Sequence, residues 1–172
     1  MLANWEEIFV LVLKNEGGFV NNPKDPGGMT NLGVTKRVWE DFVGHEVDED
    51  AMRALTPEMV KPLYKKNYWD RINGDRLPSG IDYAAYDLAV NSGTGRAAKY
   101  LQTIAGVPDD GILGAKSMDA ILVCHPVETI DALCDMRLDF LQRLPTWPAF
   151  GNGWGNRVAS VKAKASEMAQ SA

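Results

Sequence analysis

The sequence predicts a mainly α-helical fold with at most one small β-hairpin or irregular loop, at about residues 19–35. Three observations carry this expectation. Apolar residues recur at helical spacing along most of the chain, start and stop signals punctuate those runs, and only the stretch from Phe19 to Thr35 lacks the period. That stretch is dense in Asn, Pro, Asp and Gly, the residues of turns.

Taken in order, Trp5, Ile8, Phe9, Val12 and Leu13 form one helical stripe. Glu16 is its next member, and Gly17-Gly18 predict the helix end. Thr35 is placed to cap a second helix with Val38, Trp39, Phe42 and Val43 on its apolar face. Thr56-Pro57-Glu58 combines a cap, a proline at the first position and an acid in the first turn. That helix carries Met59, Leu63, Tyr64, Tyr68 and Trp69, and a loop runs from Asn73 to Gly80. Helices follow at about 81–91 and 95–105, stopped by Gly93 and Gly106, with a turn-rich link over Val107 to Gly114. Three more are expected at about 115–123, 127–144 and 155–169, the last two separated by a loop from Pro145 to Gly153. No repeat or low-complexity segment interrupts the pattern.

A chain of 172 residues is long enough to bury about 70% of its unfolded surface in its own core. The net charge of -5, with both signs mixed, excludes nucleic acid as the main partner, because phosphate binding needs a clustered basic face. Cys124 and Cys134 lie in helical sequence and read as free thiols. The two histidines, His45 and His125, have no Cys or carboxylate at ligand spacing, so neither a metal nor another cofactor is expected. The apolar run from Ile8 to Leu13 is six residues long and follows Glu6 and Glu7. It is neither a signal peptide nor a membrane span, and no membrane partner is expected. The expected state is a monomer.

The segment from Glu16 to Thr35 carries the chemistry. Glu16 extends an apolar stripe and sits at a helix C-terminus. Burial and the helix dipole both favour its protonated form, as a general acid for glycosidic bond cleavage requires. Asp25, in a loop with Gly27, Gly28 and Gly33, is placed to stay ionised as the second carboxylate that such a reaction needs. Thr30 and Asn31 offer a hydroxyl and an amide to orient a water or hold an acetamido group. Residue types alone leave a second reading open: a solvated glutamate at a helix end, followed by ordinary Asp-Pro-Gly-Gly turn chemistry.

Glu16-Gly-Gly-Phe-Val followed by Asp25-Pro-Gly-Gly-Met-Thr30-Asn31-Leu-Gly33-Val-Thr35 resembles the N-terminal signature of glycoside hydrolase family 108, muramidases of phage and prophage endolysins. It is also similar to the Glu–Asp–Thr pattern of phage-type lysozymes, with Thr30 one position closer to Asp25 than in that pattern. Tyr68-Trp69, Asp75-Arg76-Leu77-Pro78 and the run from Asp82 to Gly93 look like the family's middle segment. Leu101-Gln102, Gly106, Asp110-Gly111 and Gly114 resemble a small helical peptidoglycan-binding unit, and Gly153-Trp154 with Asn156-Arg157-Val158 the family's tail.

The resemblance implies a lysozyme-like helical fold in a single compact domain over 1–172, with a muramidase part at about 1–91 and a peptidoglycan-binding-like helical part at about 92–172 completing it. It implies cleavage between N-acetylmuramic acid and N-acetylglucosamine in peptidoglycan glycan strands, with Glu16, Asp25 and Thr30 catalytic. The net charge of -5 sits slightly against a polyanionic wall as substrate. Host lysis by an endolysin is the biological setting implied. Such a protein would be made in the bacterial cytoplasm without a signal peptide and reach the wall after release by another factor. A lytic transglycosylase using Glu16 alone and a non-catalytic peptidoglycan-binding module are the competing readings.

Asn31, Trp69 and Asn91 are candidate substrate-binding residues, Trp69 for stacking on a sugar and Asn91 for an acetamido or carboxylate group. Tyr64 reads as core. Trp147 and Trp154 read as packing against the last helix, and Asp82 and Asp87 as helix-capping or exposed-face residues.

Overall fold

The computed structural model describes residues 2–22 and 28–172. Among them are nine α-helices and one three-stranded antiparallel sheet of order β1-β2-β3, so the mainly α expectation holds. The chain forms two compact units, one of residues 6–67 and the other of residues 1–5 with 68–172.

The 6–67 unit takes most of α1 (Leu2–Leu13), the strands β1 (Val20–Asn21), β2 (Met29–Asn31) and β3 (Val34–Thr35), and the helices α2 (Lys36–Val43), α3 (Glu49–Arg53) and α4 (Pro57–Tyr64). The expected caps form: Thr35 Oγ1 accepts from Val38 N at 3.3 Å and Thr56 Oγ1 from Met59 N at 3.4 Å. Helix α3 is absent from the sequence reading. It spans five residues, too few to show a period, and is started by Asp48, whose carboxylate accepts from Ala51 N at 2.8 Å. Its Arg53 lies 3.9 Å from the centre of the Phe19 ring and pairs with Glu49 at 2.6 Å, while Asn21 donates to Glu49 at 3.4 Å. Those contacts tie the start of the sheet to α3.

In the other unit, α5 (Ile81–Ser92) is buried without a break from Ile81 to Ala89, the mark of a central helix. Around it pack α6 (Thr94–Ile104), α8 (Pro126–Gln142) and α9 (Trp147–Gln170), while α7 (Ala115–Leu122) packs on α6. Asp82 and Asp87 face inward rather than to an exposed side; both are fully buried. Asp82 accepts from Gly80 N, Tyr83 N and Asn4, so the capping expectation holds for it. Burial still raises its pKa. Asp87 is clamped by Arg137 at 2.6 Å and Arg157 at 2.9 Å. Trp5, Trp69 and Tyr86 form an aromatic cluster with ring centres 5.2 to 5.6 Å apart.

Helix α9 begins at Trp147, so the expected loop at 145–153 is mostly its first turns. Pro148 is tolerated there because the first-turn N–H groups have no helical partner. The Trp147 ring lies flat on Gly151, one turn on, where a Cβ would collide with it. The ring's packing thus offsets the poor helix propensity of the glycines. Both cysteines are free. Cys124 donates to Ala120 O at 3.3 Å, and burial pushes the Cys134 thiol up to about 11. No helix among the described residues is long and apolar enough to cross a membrane.

Candidate active site

Glu16 stands just past α1. The helix tightens at its end, with Asn15 N donating to Val12 O and Glu16 N to Leu13 O, both at 3.0 Å. The regular helix therefore stops at Leu13, before Gly17-Gly18, and Glu16 closes the last tightened turn. Its side chain is half-buried, as the stripe predicts.

What it faces is the turn between β2 and β3. The pairs Thr30–Thr35 and Asn31–Val34 leave only Leu32 and Gly33 in that turn. Both have positive φ, 50° and 74°. A two-residue hairpin requires this because its backbone twist must match that of the strands. Glycine adopts it freely, whereas leucine is strained. The Leu32 carbonyl accepts a 2.8 Å hydrogen bond from the Tyr64 hydroxyl, which holds the strained residue in place.

Gly33 is required for a second reason. A Cβ there would strike the Tyr64 hydroxyl and lie 2.8 Å from Glu16 Oε2. The glycine thus admits the acid and the phenol to the same side of the turn. Tyr64, which the sequence reading assigned to the core, is 2% exposed, and its ring packs edge-on against Phe9 with centres 5.8 Å apart. Only its hydroxyl reaches the site. The signal for this role was the need of a buried tyrosine hydroxyl for a partner.

The remaining candidates separate. Thr30 is half-buried in β2 opposite Val20 and Thr35. Asn31, next along the strand, points to the other face. Its side-chain amide is buried and donates to Met52 O at 2.8 Å and Arg53 O at 3.4 Å, tying the sheet to the end of α3. Both of the donated bonds stay within the protein. Trp69 has no exposed surface, and its indole N–H donates to Asp75 at 2.9 Å. Asn91 is exposed at the end of α5, in the other unit, with its Oδ1 accepting from Ser92 at 3.2 Å. Asp25 lies outside the described residues. No cluster able to hold a metal ion occurs among those described.

The profile of the family described as glycosyl hydrolase 108 matches residues 9–93, which contain Glu16, Gly33 and Tyr64. The solved structure titled "Structure of Brucella abortus SagA" is 38% identical, with 98% of this chain and 97% of that one covered and a TM-score of 0.87. The chain belongs to the glycosyl hydrolase 108 family. It is therefore a glycoside hydrolase, and the family marks it as a peptidoglycan hydrolase. No curated protein sequence matches it.

Proposed function

We propose that this family 108 hydrolase is an N-acetylmuramidase that cleaves between N-acetylmuramic acid and N-acetylglucosamine, with Glu16 as the general acid. The observation that carries this is the convergence of Glu16 and the Tyr64 hydroxyl on Gly33. A side chain so closely confined keeps its carboxyl group at a fixed point, and general acid catalysis needs such positioning. Asp25 supplies the second carboxylate, supporting the anomeric centre or a water, and Thr30 orients that water. The partner is the glycan strand, met by a monomer. The resemblance to endolysins supports a role in host lysis, with access to the wall provided by another factor.

The test is digestion of purified peptidoglycan by the wild type and Glu16→Gln, with fragments identified by mass spectrometry. Reducing muramic acid ends from the wild type, and a loss on the order of 100- to 10,000-fold in the variant, are expected. Anhydro ends would replace hydrolysis by transglycosylation, and equal release by both proteins would remove Glu16 from its role.

A further inference from the structure

Within the unit that holds α5, a hollow of about 240 Å³ opens beside the end of that helix. Asn91, Ser92 and Arg96 stand on one side of it, and Phe140, Leu141, Leu144 and Trp154 form the apolar remainder. Its single charged residue is Arg96. The guanidinium lies flat on the Phe140 ring, 3.5 Å from the centre. Among the described residues Arg96 makes no ion pair. The carboxylate next to its ring partner is already taken, since Asp139 pairs with Arg143 at 3.5 Å. In a chain with a net charge of -5, a cation left without a carboxylate and pinned by stacking is ready for an anion from outside.

The floor decides which anion. Trp154 is stacked with Phe150, ring centres 5.5 Å apart at 26°, and Phe150 is 56% exposed. A bare inorganic anion gains nothing from such a wall, whereas a chain that carries both methylene or methyl groups and a carboxylate gains from both features. Asn91 and Ser92 add an amide and a hydroxyl suited to peptide groups.

We propose that this hollow is a subsite for an acidic peptide, the carboxylate-bearing stem that peptidoglycan carries on its muramyl residues. Arg96 takes the carboxylate, bidentately where the geometry allows, and the Trp154 side of the hollow takes the apolar part of the stem. The inference rests on the reading of peptidoglycan as substrate, and it gives the helical unit a task separate from bond cleavage.

The test is a binding titration rather than a turnover assay. The probes are a soluble disaccharide-peptide fragment with free carboxylates and the same fragment with its carboxylates amidated. The wild type is expected to bind the free acid at least about tenfold more tightly, the scale of one charge-assisted contact. Arg96→Gln is expected to bind both probes alike. Arg96→Lys, which keeps the charge but not the flat fork, is expected to keep part of the preference. Equal binding of both probes by the wild type overturns the proposal, as does a preference that survives in Arg96→Gln or equal preferences in the two variants. The two readings fail separately. Discrimination without hydrolysis of intact wall would sink the muramidase reading alone, and hydrolysis without discrimination would sink the subsite alone.

Discussion

The two units handle polar groups in opposite ways. In the α5 unit the two buried carboxylates are paired internally: Asp87 by two arginines, Asp82 by two backbone N–H groups and Asn4. In the 6–67 unit the proposed acid, Glu16, is only half-buried, at the edge of a turn whose backbone is strained at Leu32. One region spends its polar chemistry on holding helices together. The other holds its polar chemistry in a costly local geometry, as reactive sites commonly do. Mutations should therefore register as stability in the first and as rate in the second.

The largest effect is expected from Arg137→Met. It leaves the fully buried Asp87 with Arg157 alone, and loss of one partner of a buried ion pair costs about 3 kcal/mol or more. Denaturant unfolding should show the loss while kcat of the folded fraction stays near wild type. Gly33→Ala should do the reverse. Its Cβ displaces Glu16 and the Tyr64 hydroxyl, and a misplacement of about 1 Å costs on the order of 100-fold in rate. A variant that keeps full kcat would show that the crowding at Gly33 does not position the acid.

A smaller effect separates the units by pH. Cys134 is neutral in both folded and unfolded states below its ordinary value of 9. Between 9 and about 11 the unfolded chain releases the proton and the folded one keeps it. Stability should therefore fall as pH rises through that window, by up to about 1.4 kcal/mol per pH unit from this group. Cys134→Ala should flatten the slope, and an unchanged slope would assign it elsewhere. The smallest effect is a gain. Leu32→Asn suits the positive φ and should raise stability by up to about 1 kcal/mol. A fall in melting temperature would mean that the leucine side chain contributes more than its backbone costs.

The sequence disclosed whatever depends on local pattern. Thr35 and Thr56 announce their helices because a cap is a one-turn interaction, and Glu16 is legible because the stripe that buries Trp5, Ile8, Phe9 and Val12 extends to it. Contacts between side chains distant in the chain leave no such local sign. Nothing near Asn31 shows that its amide is engaged by Met52 and Arg53, and nothing near Trp69 shows that its face is covered. Tyr64 went unrecognised because its hydroxyl meets a carbonyl 32 positions earlier. The start of α9 looked like a loop because the ring that compensates for Gly151 belongs to the same segment, and composition does not show which way a ring turns.

The tryptophans divide unevenly. Trp5, Trp39 and Trp69 are at most 6% exposed, while Trp147 and Trp154, with ring centres 6.3 Å apart, are half-buried at the start of α9. A soluble quencher such as acrylamide should therefore reach two of the five emitters and spare three. The protein carries a built-in optical probe at that end of its helical unit, readable without any label.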